Sequence, residues 1–399
     1  MAVGDMVPEG RTGPPRASLL YDPKVRGIVS QIVVAVSLVA FFWWIIDNTR
    51  ENLQRLRIAS GFNFLWERAG FAISQTLVEY TPESSYAWSF VVGLLNTILV
   101  AAIGIVLASI IGFVAGIARL SPNKLISGIA AVYIETLRNA PLLLQLFFWY
   151  GAVLTVLPGP RQAVDLPLGA NISNRGLILP WPAFEPGAYA TAIAVLVALL
   201  GAWAIARWAR RRQEATGQPF PAFLTGVALV ILLPILVFLV TGRPATISYP
   251  ELQGFNFVGG LNIQPEFVAL LLGLSLYTGT FIAEIVRAGI LAVSHGQTEA
   301  AYALGFRPGP TLRLIIIPQA MRVIIPPLTN QYLNLTKNSS LAVAIGYPDL
   351  VSVFSGTVLS QTGQSVETIL ITMLVYLTLS LLTALFMNWF NARVALVER

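Results

Sequence analysis

Eight apolar stretches dominate this sequence, each near the roughly 20 residues that a helix needs to cross a bilayer. They are Ile28–Ile46, Trp88–Ile117, Ile126–Leu157, Tyr189–Ala206, Phe223–Val240, Glu266–Ile290, Met321–Ile345 and Val366–Phe390. In hydrocarbon every backbone amide must find its partner within the protein, which leaves helices as the natural solution for stretches of this length. The chain is 56% hydrophobic and only 11% charged, well below the charge of a soluble domain. The expected fold is an all-α integral membrane protein with about eight transmembrane helices. The third stretch is interrupted at Pro141 and is expected to be one tilted or broken span. Ile28–Ile46 is too long for a signal-peptide core, and no small-x-small cleavage site follows Trp43-Trp44 and Asp47, so it reads as a retained anchor.

The polar residues exclude several chemistries. There is no cysteine, which removes disulfides, thiol catalysis and thiolate metal sites. One histidine, His295, makes Ser-His catalysis and His-based zinc sites improbable. The net charge of +6 is explained by a bilayer rather than by nucleic acid, because cytoplasmic loops retain lysine and arginine. Arg11, Arg16, Lys24 and Arg26 precede the first stretch, and Arg119 and Lys124 follow the second. Arg207 and Arg210-Arg211-Arg212 follow the fourth. Arg307, Arg313 and Arg322 lie before or at the start of the seventh, and Arg393 and Arg399 close the chain. With eight spans all of these fall on one side, which places both termini in the cytoplasm. The loop Asp47–Tyr86, with Arg50, Arg55, Arg57 and Arg68, runs against the rule. Gly61-Phe62-Asn63-Phe64 and Gly254-Phe255-Asn256-Phe257 form a faint internal echo ahead of two spans.

Four motifs carry chemistry. Gln297–Pro318, QTEAAYALGFRPGPTLRLIIIP, is a polar, proline-broken segment between two apolar runs. It reads as a short amphipathic helix over Gln297–Leu304, stopped by Gly305 and a Pro308-Gly309-Pro310 turn, lying at the membrane surface and open to a soluble partner. In the third stretch Arg138-Asn139-Ala140-Pro141 leads into Leu142–Leu146 with Gln145. Pro141 frees an upstream carbonyl, which fits either a broken helix at a gate or a structural helix start held by a Glu135–Arg138 ion pair. In the sixth, Tyr277, Thr280 and Glu284 share roughly one face. Glu284 is either a substrate contact or the partner of Arg287 at i, i+3. In the seventh, Asn330, Asn334, Lys337 and Leu341 follow i, i+4, i+7, i+11, one stripe. Lys337 must face protein or water, lining a substrate path or a seam between subunits. Pro326-Pro327 is expected to break the helix just before this stripe.

These segments resemble the permease subunits of bacterial ABC importers for polar and general L-amino acids, the histidine/glutamate/glutamine/arginine/opine family. Glu299, Ala300, Ala301, Gly305 and Pro318 fall at the spacing of that family's cytoplasmic signature loop, with Ile317 in place of the usual leucine. Arg138-Asn139-Ala140-Pro141-Leu142-Leu143-Leu144-Gln145 and Lys337-Asn338-Ser339-Ser340-Leu341 match its other hallmarks. The resemblance covers roughly residues 93–157 and 254–394. It implies a type I permease core and a coupling helix that docks into an ATPase. It also implies partners: two copies of that ATPase, a second similar permease, and a periplasmic amino-acid-binding protein. No cofactor would be bound by this chain, and ATP and Mg would sit on the partner ATPase. The location implied is the bacterial inner membrane.

The organisation expected on this basis is a cytoplasmic tail (1–27), an anchor with its periplasmic loop (28–87), and a first part of the core (88–180). A two-span insertion peripheral to the transport path (181–248) follows. The rest of the core (249–394) contains the coupling loop 295–318, and a short cytoplasmic tail (395–399) ends the chain. No G-x-x-x-x-G-K-[ST] loop occurs, so the chain itself has no Walker-type ATP site. A secondary amino-acid transporter is the alternative, but it leaves the Glu299 loop unexplained; a purely structural membrane subunit is more remote. An enzyme is disfavoured because no nucleophile–base set is present.

Overall fold

The computed structural model describes residues 23–56, 59–185, 188–242 and 245–394. The outer parts of the two expected cytoplasmic tails, 1–22 and 395–399, lie outside these residues, as do Arg11, Arg16, Arg57 and Arg399. The helices are α1 (Pro23–Arg55), α2 (Tyr86–Arg119), α3 (Lys124–Asn139), α4 (Leu142–Phe147), α5 (Ala188–Thr216), α6 (Ala222–Val240) and α7 (Pro265–Leu291). They continue with α8 (His295–Ala303), α9 (Pro308–Thr311), α10 (Ile317–Asn338), α11 (Leu359–Thr362) and α12 (Ser365–Val394). Among the described residues 7 helical runs are long and apolar enough to cross a membrane: α1, α2, α5, α6, α7, the run Pro308–Ile345 that contains α10, and α12.

The remaining expected span, Ile126–Leu157, is broken into pieces. Asn123 starts α3 by accepting the Leu125 N–H at 2.9 Å, a side-chain cap. Ala140 then turns extended (ψ 130°) and Pro141 opens α4, which continues as a π-helical turn through Phe148–Leu154. The pieces still run from one end of the core to the other. Glu135 reaches Arg119 at the end of α2, whereas the Tyr150 hydroxyl donates to Glu266 in the first turn of α7.

Pro326 and Pro327 behave differently from Pro141. Helix α10 passes through both without interruption, so the expected break is absent. Each proline removes one hydrogen bond, but Ile324, Ile325 and Leu328 around them are buried. Packing of that face holds the helix, as membrane helices commonly tolerate. The expected Pro308-Gly309-Pro310 turn is likewise helical. Pro308 sits in the first turn of α9, where its missing N–H costs nothing.

The fold is mostly helical but not purely so. Eight short strands lie between α4 and α7: β1 (Val164–Leu166), β2 (Ala170–Ser173), β3 (Gly176–Leu179), β4 (Trp181–Phe184), β5 (Ala245–Ser248), β6 (Glu251–Gln253), β7 (Asn256–Val258) and β8 (Leu261–Ile263). β1-β2-β3-β8 form an antiparallel sheet with Ile178 opposite Asn262. Gly176 (φ +117°) permits its closure, since any Cβ there would collide with the Ile263 carbonyl. β4 pairs with β5, placing Trp181 opposite Ser248, so the segment holding α5 and α6 leaves and re-enters at one place. The second copy of the Gly-Phe-Asn-Phe echo lies in the β6–β7 hairpin, while the first opens a 3-10 turn over Asn63–Trp66. The echo is therefore one of sequence only.

The core is built around α2 and α7. Small residues let the two approach closely: a Cβ on Gly112 would sit 2.5 Å from Ile282, and one on Gly116 would sit 2.6 Å from the Ala283 carbonyl. Gly279 on α7 faces Ile111 in return. α10 joins them through Leu335 against Gly104 and Ile324 against Gly289. The Tyr133 hydroxyl fastens α3 to α7 by donating to the Leu276 carbonyl at 2.8 Å.

Candidate functional site

Helix α8 is short, and only Ala301 of it is buried; Glu299 and Ala300 are exposed. His295 Nδ1 and Glu299 Oε1 lie 3.0 Å apart across one turn. The helix ends in a Schellman turn: Phe306 N–H reaches the Ala301 carbonyl at 3.0 Å and Gly305 N–H the Tyr302 carbonyl at 2.9 Å. Gly305 takes φ +81°, and a Cβ on it would meet nothing of this chain. Tyr302, Leu304 and Phe306 project from the same corner, with Leu304 77% exposed. Three large apolar side chains thus stand clear of this chain's own packing in a polar loop. Sequence reasoning overlooked these three, although three large apolar residues among polar ones were visible. Pro318 lies at the start of α10, also exposed.

At Pro141 the lost backbone bond has a replacement. Proline at 141 leaves the Leu137 carbonyl without its amide, and Gln145 Nε2 donates to that oxygen at 2.7 Å and to the Ala140 carbonyl at 3.0 Å. Gln145 is buried, with its Oε1 unpartnered among the described residues, so the break is bridged by one side chain packed within the core. Arg138 does not pair with Glu135: its guanidinium lies over the Phe281 ring at 5.3 Å. Glu135 takes Arg119 instead, at 2.9 Å, because the α2–α3 turn brings their helices together.

Arg287 donates to Glu284 through Nε at 2.9 Å, and both side chains are about a third exposed. Tyr277 is half-buried against Phe281, with ring centroids 5.0 Å apart. Thr280 is fully buried and its hydroxyl donates back to the Tyr277 carbonyl. On α10, Asn330, Asn334 and Lys337 are exposed in one line, whereas Thr336 and Ser339 are buried and bonded to their own helix. Among the described residues Lys337 forms no ion pair. The α10 stripe thus faces away from this chain's own packing.

A buried network beyond α10 was not anticipated. Asp349, 1% exposed, accepts the Ser352 N–H at 2.8 Å and the Tyr376 hydroxyl at 3.2 Å. Asn96 donates to the Pro348 carbonyl and Thr97 accepts the Leu350 N–H. These bonds tie the turn after α10 to α2 and α12. The signal was an aspartate beside proline in an otherwise apolar run.

Comparison with known proteins decides the family. The model for the "binding-protein-dependent transport system inner membrane component" matches residues 198–396. A general L-amino acid transport system permease from Rhizobium johnstonii is 54% identical over 99% of this chain and 98% of its own length. A putative amino-acid ABC transporter permease of Escherichia coli is 51% identical, over 95% of this chain and 96% of its own. A glutamate/glutamine/aspartate/asparagine permease of Rhodobacter capsulatus is 41% identical, over 97% and 99%. This chain belongs to the permease subunits of binding-protein-dependent ABC importers. It is a multi-pass inner-membrane protein that works with an ATPase and a binding protein, and as the permease subunit it performs no catalytic step itself.

Proposed function

We propose that this permease carries L-amino acids inward, over the broad range or the acidic-and-amide range printed for its relatives. Helix α8 is the element that docks on the ATPase, and its exposed, Schellman-capped end carries the reading. A second, similar permease would cover the α10 stripe, so that Asn330, Asn334 and Lys337 line the path between the two subunits. Lys337 would meet a substrate carboxylate there, with Glu284 and Tyr277 near the same passage and Thr280 setting the packing of α7. Two ATPase copies hold ATP and Mg, and both termini of this chain lie on their side of the membrane. Nucleotide-driven closure of the ATPases moves α8 as a rigid body and switches the core between outward and inward openings. Leu304→Asp tests the docking role, because Leu304 is 77% exposed on this chain and the change leaves the φ +81° turn at Gly305 intact. In proteoliposomes it should leave ATP hydrolysis while uptake falls at least about tenfold, the effect of losing one tight contact. Normal uptake by that variant would remove α8 from the coupling path.

A further inference from the structure

A cavity of about 480 Å³ lies at the end of the core where α7 begins, within the roughly 300–1,000 Å³ of small-molecule pockets. Four distant parts of the chain converge on it: Ser74 ahead of α2, Tyr150 after α4, Asn174 and Arg175 at the β2–β3 turn, and Glu266 in the first turn of α7. Arg175 and Glu266 line the same space, yet among the described residues neither forms an ion pair. The Glu266 carboxylate and the Arg175 backbone have other partners. Tyr150 donates to Glu266 Oε1 at 2.9 Å, and the Arg175 N–H donates to the Ser173 hydroxyl at 3.2 Å. Asn174 also lines the cavity, although its Oδ1 is buried and presents no surface to it. Nearby, Gln264 closes on Ser74 through a 2.6 Å bond to its carbonyl and so seals one wall.

A cation and an anion held apart across one cavity suit a ligand that carries both charges. We propose that this cavity is an entry site for a free α-amino acid. The Arg175 guanidinium takes the α-carboxylate, while Glu266 takes the α-ammonium. The side chain of the ligand is left unread, which suits a carrier of broad range. The site lies at the opposite end of the core from α8, and in this it rests on the importer reading: cargo would stop here before reaching the α10 stripe.

The absence of native cysteine makes a local probe available. Ser74→Cys places a thiol at the cavity rim, where Ser74 is exposed, and its modification by a bulky maleimide can be followed in the purified importer without binding protein or nucleotide. L-glutamate, L-glutamine and L-alanine should each slow labelling, whereas propionate and ethylamine should not. Adding Arg175→Gln or Glu266→Gln should raise the protecting concentration at least about tenfold, the effect of one charge-assisted bond. Arg161→Gln, in the 3-10 turn before β1 and stacked on Phe255, should leave protection unchanged. Protection that persists in both charge variants, or that is absent in the Ser74→Cys protein, overturns the site. Amino-acid uptake by the wild-type importer with its binding protein is measured separately, so loss of the entry site and loss of the importer reading give different results.

Discussion

The α2–α7 seam and the α5–α6 hairpin are both pairs of long, closely packed apolar helices, yet one is buried by the rest of the fold and the other is not. In the seam, glycines at 112, 116 and 279 bring backbones into contact, and Ile282, Ala283 and Val286 are buried against them. In the hairpin glycines also bring the helices together: a Cβ on Gly201 would sit 2.8 Å from Leu229, and one on Gly226 would sit 3.4 Å from Ala202. Only Ala194, Ala198, Ala209 and Gly226 are buried there, and the other faces stay open. Lipid tails are as apolar as leucine, so helices in a membrane associate through close packing and not through hydrophobicity. The seam is therefore a structural axis, while the hairpin is held mainly by its own mutual contact and its strand clasp.

The largest effect expected from this contrast is at Gly112. Gly112→Leu would force a side chain into Ile282 and the Gly279 carbonyl, an overpacking cost of about 1–3 kcal/mol or more. The expected result is loss of the assembled importer on size-exclusion chromatography. An intact complex would mean that the seam is more plastic than its glycines indicate. Gln145→Leu should do less, leaving the Leu137 carbonyl unpaired at a cost of about 1–3 kcal/mol, read as a lower midpoint of thermal unfolding with assembly retained. An unchanged midpoint would show that the Pro141 break does not depend on its substitute donor. The smallest effect belongs to the hairpin. Replacing residues 188–240 by a short Gly-Ser linker should keep uptake within about twofold, the scatter of surface changes. A transport-dead variant would place the hairpin on the path after all and dissolve the contrast.

What could be read from the sequence follows from range. Spans announce themselves through continuous hydropathy over roughly 20 residues, and the Asn330-Asn334-Lys337 line through its helical spacing. The Schellman end of α8 was visible in Gly305, because only a left-handed residue closes it. The strands were missed since each has only three or four residues, too few for alternation to stand out. Arg119 as the partner of Glu135 was missed because the pairing depends on how α2 and α3 fold back. Pro141 and Pro326-Pro327 look alike on paper. They differ because buried Ile324, Ile325 and Leu328 hold α10 straight, whereas at Pro141 a buried glutamine stabilises the bend.

The β4–β5 clasp has one more consequence. Closing a loop costs entropy that grows only slowly with its length, and here Trp181 and Ser248 close it at the root. Once that root is joined, the length of what hangs beyond it does not change where the chain resumes. A longer or shorter hairpin between these two strands would leave the root, and the β3–β8 pairing beside it, where they are.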